Sequence, residues 1–318
     1  MKYSRGRLLL VAALGMGAYL AALAVVDRAQ LLGAMRVLSP ATLLAVFGLS
    51  LCNYFLRLLR WDAYLRAIGP AVPTLRQGLY YFAGFAFTVT PGKLGEAVRA
   101  LYLRRHGIAY AQTTAVLLVE RLLDLMAVSL LALLWLTRDR HGAWFAAGFL
   151  LVVAVAAVLV SRPSAPQRLR AAAARRSGRS ARLLEFLAHS LGDAASLLSL
   201  PRLAWGLALG LLAWGAEGLG LYLLVQALGI PLGAAGAVGA YSLGVLAGAA
   251  SFIPGGLGGA EAAMSLLLTL AGGTAAAALT ATVVCRLATL WFAVALGALA
   301  MLALELLGAS LPQQEASA

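Results

Sequence analysis

Pro91-Gly92-Lys93-Leu94-Gly95-Glu96 and Pro254-Gly255-Gly256-Leu257-Gly258-Gly259-Ala260-Glu261 repeat one pattern: P-G-x-L-G followed by a carboxylate. Each copy interrupts a long apolar run. Proline and glycine end helices, so each copy breaks an otherwise continuous helix into two halves. A bilayer tolerates broken backbone only where protein buries it or it lines a cavity. A chain carrying the pattern twice must fold around both breaks, and they are its candidate functional centre.

Composition puts those breaks in a membrane. Of 318 residues, 62% are hydrophobic and 12% charged, whereas soluble domains carry about a quarter charged residues. Several runs reach the ~20 apolar residues a spanning helix needs. The net charge of +13 reads as basic loops that set topology rather than as a nucleic-acid surface. Cys52 and Cys285 lie inside apolar runs and give neither a disulfide framework nor metal-ligand spacing. His106, His141 and His189 are far apart, and no zinc-protease, Walker, serine-hydrolase or dinucleotide motif occurs. No cofactor, metal or nucleic-acid partner is expected, and the chain is not read as an enzyme.

The expected fold is an all-α polytopic membrane protein with about six full spans and two re-entrant helical hairpins arranged as inverted repeats. The spans are Leu8–Val26, Ala41–Leu59, Ala111–Leu136, Ala143–Val160, Leu203–Leu228 and Thr274–Leu307. Leu8–Val26 is retained rather than cleaved, being longer than a signal-peptide core. The hairpins are Leu75–Arg105 and Leu232–Leu270. Trp61, with Arg57, Arg60 and Arg66, marks the cytoplasmic exit of the second span. On this topology nineteen Lys/Arg are cytoplasmic, four external and two intramembrane. That bias puts both termini on the cytoplasmic face of an inner membrane. The whole chain, 1–318, is one integral membrane domain. Repeat 1 covers about 41–136 and repeat 2 about 203–307, with the crossing 143–160 inverting one against the other. The basic stretch 161–202 is a cytoplasmic linker, with Arg182–Leu200 read as a solvated loop helix in preference to a lipid-lying one. Inverted repeats with broken helices meeting near the midplane are a recurrent transporter plan.

A helix beginning after each P-G-x-L-G has unpaired N–H groups and about half a positive charge at its start. Gly92, Gly95, Gly255 and Gly258 would open those ends to a phosphate. Glu96 also fits as a first-turn residue that complements the dipole, whereas Glu261 lies further in. Either acid can hold a cation or carry a proton. Glu120 and Asp124 share a helix face, while Arg121, about 100° away, pairs poorly with Glu120 and better with Asp124 at i, i+3. Glu120 then needs another partner, Arg286 or a substrate amine. Arg121 and Arg286 follow their motifs at similar distances and are read as matched phosphate clamps. A structural ion-pair network is the other reading of the Glu120, Arg121 and Asp124 group. Glu217, alone in its span, suits proton coupling or helix pairing. Asn53 and Arg57 belong either to the site or to the interface.

Arg57-x-x-Arg60-Trp61, Pro91-Gly92-Lys93-Leu94-Gly95-Glu96-x-x-Arg99, Glu120-Arg121-x-x-Asp124, and Pro254-Gly255-Gly256-x-Gly258-Gly259-x-Glu261 with Arg286 together resemble the flippase-like integral-membrane family. That family includes the transmembrane region of lysylphosphatidylglycerol synthase, and the likeness runs from about Leu8 to Leu307. It implies movement of a lipid between leaflets: an anionic phospholipid such as a modified phosphatidylglycerol, or a polyprenyl-phosphate lipid. Within that frame Glu96, Arg99, Glu120, Arg121, Asp124, Glu261 and Arg286 are the expected substrate contacts. Glu217 and Glu261 are the expected proton carriers. A membrane-embedded head-group transferase, with Glu96 or Glu120 as base, is the alternative. A non-catalytic partner of a lipid-pathway enzyme, docking through 161–202, is a third. Bifunctional synthases add a soluble transferase domain, whereas this chain ends a few residues after its last span, so lysyl-lipid synthesis is not expected of it.

Overall fold

The computed structural model describes residues 33, 36–89, 98–136, 148, 151, 155, 158 and 164–308. The expected first span, the first P-G-x-L-G with Gly92, Gly95 and Glu96, the 137–142 loop and most of the 143–160 crossing lie outside them. The described residues form helices and turns, with no strand among them.

Helix α1, Pro40–Ile68, starts where Ser39 accepts the Thr42 N–H at 3.1 Å and proline occupies the first turn. It runs nine residues past the expected exit at Leu59, so Arg57, Arg60 and Trp61 lie inside the helix. All three are buried, Trp61 to 1% exposure. Helix α2, Thr74–Phe85, leads through a turn at 86–89 to the described edge of the first motif. The short α3, Arg99–Leu103, follows and continues into a 3-10 turn, Arg104–His106, closed by Gly107 at φ 79°. Helix α4, Tyr110–Leu136, has 27 residues and holds its three charges mid-helix.

The basic stretch forms α5, Ser164–Ala174, and α6, Gly178–Leu197. α6 is not merely solvated: Ala188, Ser190, Ala194 and Leu197 are buried, and the helix packs on α4. Leu183 and Leu187, nearer the start of the helix along the same stripe, stay exposed. Helix α7, Leu200–Ala227, packs along α1 and also touches α4. A Cβ at its Gly210 would stand 3.0 Å from the Arg60 guanidinium, so the missing side chain makes room for the arginine at the crossing.

Helix α8, Ala234–Ala250, and helix α9, Gly259–Leu270, flank the second motif. Gly244 faces Met264, Gly248 faces Ala260 and Ser251 faces Gly259, so the two helices run antiparallel. Their 17 and 12 residues make about 26 and 18 Å of helix, short of the ~30 Å apolar core of a bilayer. A helical hairpin therefore stands where one was expected. Its turn needs left-handed backbone at Gly255 (φ 66°), Gly256 (φ 67°) and Gly258 (φ 84°), a region open to glycine. Helix α10, Ala275–Arg286, passes through a π turn, Leu287–Trp291, into α11, Phe292–Leu306, which packs on α2.

Among the described residues α1, α7 and the continuous Ala275–Leu306 rod are long and apolar enough to span a membrane. The turn of the second motif also touches the described end of the segment after α2: a Cβ at Gly255 would lie 3.5 Å from the Cα of Val89.

Candidate functional site

Two carboxylates on α4 organise the interior. Their i, i+4 spacing puts both on the face turned toward α1, where Arg57 and Arg60 sit at i, i+3. Glu120 is fully buried. Its Oε1 accepts from Tyr81 Oη at 3.2 Å and from Arg57 Nη2 at 3.5 Å, with Arg60 Nη2 at 4.0 Å. Its Oε2 takes Arg99 Nη1 at 3.3 Å and Arg121 Nη2 at 3.4 Å. Asp124 pairs tightly with Arg60 through Oδ1, which also accepts Trp214 Nε1 at 3.2 Å. Its Oδ2 faces Arg121 Nη2 at 3.2 Å and Arg57 Nη2 at 3.3 Å.

Two expectations change here. Arg121 does reach Glu120, because its long side chain bends back across the short separation. Glu120 finds its partners on α1, α2, α3 and α4, and not in Arg286.

Arg99 shows how closely this cluster is packed. It is wholly buried, its Nε donates to the Tyr81 carbonyl at 3.2 Å, and its guanidinium carbon stands 4.1 Å from the Tyr81 ring centre and 4.8 Å from that of Trp61. A Cβ at Gly84 would collide with the Arg99 side chain, so α2 carries glycine where the arginine crosses.

Arg286 belongs to a second, smaller group. Its Nε donates to Glu261 Oε1 at 2.6 Å and its Nη2 to the Gly255 carbonyl at 2.7 Å. The other oxygen of Glu261 accepts the Gly258 N–H at 2.7 Å. Glu261 therefore sits in the first turn of α9, not deeper, and its own carboxylate covers the helix start expected to hold a phosphate.

Between the two groups lies a cavity of about 350 Å³. Arg57, Arg121, Asp124, Glu217, Tyr241 and Arg286 give it a charged and polar side. Leu125, Val128, Val245, Leu246, Leu290 and Ala293 give it an apolar one. Phe252, 84% exposed and held at φ 53°, and Ile253, 47% exposed, line it where α8 ends. Glu217 accepts a close hydrogen bond from Tyr241. Among the described residues no group of His, Cys, Asp and Glu is suited to hold a metal.

Of the residues expected from sequence, Arg121, Asp124, Glu217, Gly255 and Arg286 line the cavity. Arg99, Glu120, Gly258 and Glu261 stand behind or beside it. Tyr54, Trp214, Tyr241, Thr88 and Thr289 were not anticipated. Arg57 and Arg60 carried a usable signal in their spacing, which matches the Glu120 and Asp124 face.

A helical membrane protein with an amphipathic internal cavity is what this fold and site define. The chain belongs to the family described as the lysylphosphatidylglycerol synthase TM region, whose model matches residues 8–297 and so takes in every cavity-lining residue. That membership ties it to membrane lipid pathways. A comparison with curated proteins finds no match.

Proposed function

We propose that this protein moves a phosphate-bearing lipid between the leaflets of the inner membrane. The observation that carries the proposal is the cavity, in which Arg57 and Arg121 face apolar walls within one space. A phosphate seated against those guanidiniums leaves its acyl chains toward Phe252 and Ile253. Arginine forks match phosphate oxygens, and a low dielectric strengthens the contact. With Glu261 covering the start of α9, the phosphate site shifts from the helix ends to the α4 side of the cavity. Arg286 then fixes the second motif's turn through Gly255, and Glu217 is the acid placed to exchange protons with the cavity. The inverted-repeat arrangement belongs to the same reading, supported by the antiparallel α8–α9 hairpin and its contact with Val89. Glu120, enclosed by arginines and away from the cavity, is poorly placed as the base of a transferase.

Reconstitution into liposomes tests the function directly. Fluorescent anionic phospholipid should exchange leaflets faster than in protein-free vesicles, and Arg121→Gln should slow that exchange at least tenfold. Equal rates with and without protein would overturn the proposal. Burial of Arg57, Arg60 and Arg99 removes three residues from the nineteen counted as cytoplasmic, leaving sixteen against four outside, so the proposed orientation stands. With exposed Cys52 replaced by serine, a cysteine at Ser180 should label from the cytoplasm and one at Ala235 from outside.

A further inference from the structure

Nearly every buried serine or threonine in the described helices spends its hydroxyl on a carbonyl one turn back. Ser50, Thr113 and Ser129 do so at 3.3, 3.4 and 2.6 Å. Ser190, Ser242, Thr280 and Thr282 do so at 2.9, 2.8, 2.7 and 2.8 Å. None of the seven lines the cavity. Among the described residues, Thr88 and Thr289 carry the two buried hydroxyls without a hydrogen-bond partner, they are 6% and 8% exposed, and both residues line it.

The backbone accounts for the difference. Thr88 sits in the turn that ends α2, past the regular helix. Thr289 sits inside the π turn, where the helical register opens. There the Tyr54 hydroxyl donates to the carbonyls of Ala288 and Thr289, at 3.2 and 2.7 Å. The two segments adjoin, since Val89 packs with Leu290 and Trp291. A buried hydroxyl without a partner costs free energy, so two of them in one cavity call for a ligand that bonds them.

We infer that Thr88 and Thr289 form a neutral subsite for the hydroxyl groups of a polyol carried on the lipid phosphate. The inference rests on the translocase reading above and adds the head-group chemistry. A threonine hydroxyl both donates and accepts, which suits another hydroxyl. A quaternary ammonium offers no donor, and a primary ammonium would favour a carboxylate. The phosphate lies toward Arg57 and Arg121, and the polyol reaches the threonines.

Equilibrium binding of radiolabelled dihexanoyl lipids to the full-length protein in micelles provides the test. Phosphatidylglycerol and phosphatidylpropanol carry the same charge and similar length, and only the former has head-group hydroxyls. Wild type should prefer phosphatidylglycerol by about tenfold. Thr88→Val and Thr289→Val should each reduce that affinity about three- to tenfold and leave phosphatidylpropanol binding unchanged. Thr289→Ser should restore the preference. Since neither hydroxyl is bonded within the protein, both valine variants should keep the wild-type melting temperature, which guards against a folding artefact. Equal wild-type affinity for the two lipids, or equal loss of both in the variants, would overturn the subsite while leaving the translocase reading intact. Binding of neither lipid would sink both.

Discussion

Around α4 two carboxylates share several guanidiniums from three helices, whereas at the start of α9 one carboxylate serves one arginine and one backbone N–H. The first arrangement ties α1, α3 and α4 together through charges that lipid would not tolerate singly. The second holds a turn in shape and neutralises a helix end. Charge in the same protein thus serves helix assembly in one region and local backbone geometry in the other, and only the first region also presents arginine to the cavity without a capping duty.

The largest effect should come from breaking the shared cluster. Asp124→Ala leaves Arg60 and its neighbours buried with less countercharge and should cost about 3–5 kcal/mol, read by denaturant unfolding in micelles. Arg99→Lys keeps the charge and loses the planar contact with Tyr81 and the bond to its carbonyl. The expected cost is about 2 kcal/mol. Glu261→Gln, in the simpler group, should cost only about 1–2 kcal/mol, because the amide oxygen can still accept the Gly258 N–H. It should also strengthen binding of anionic lipid, by loosening Arg286 and removing the negative charge at the start of α9. A cost as large as that of Asp124→Ala would erase the contrast between the two regions.

The smallest effect concerns pH. Burial, with Arg76 and Arg105 nearby, holds the His106 imidazole below its ordinary pKa of 6.5. The unfolded chain then binds more protons than the folded one in the window below 6.5. Stability should be intact above that pH and decline slightly as pH falls through it. His106→Gln should flatten that slope and leave the stability of the α4 cluster unchanged.

Much of this was legible in the sequence. The P-G-x-L-G at 254–258 announced a hairpin because its glycines permit backbone that other residues resist, and the i, i+3 pairing of Arg121 with Asp124 followed from helix geometry alone. Arg57 was left open between site and interface, and Arg60 was read as facing water, for a physical reason: a basic cluster after an apolar run looks the same whether it meets water or partner carboxylates. Only the packing of α1 against α4 and α7 tells them apart. Glu261 was placed too deep because the start of α9 is set by the left-handed Gly258, a conformation that residue order does not reveal. Thr88 and Thr289 carried no signal at all. What distinguishes them is a missing carbonyl, and that depends on a turn and a π register rather than on residue type.

The cavity's volume has a consequence for how occupancy responds to solvent. At roughly 30 Å³ per molecule in the liquid, 350 Å³ accommodates on the order of a dozen waters. A head group that enters must send most of them back to bulk. Lipid affinity should therefore rise under osmotic stress from a polymer too large to enter, and the slope against water activity would count the molecules released.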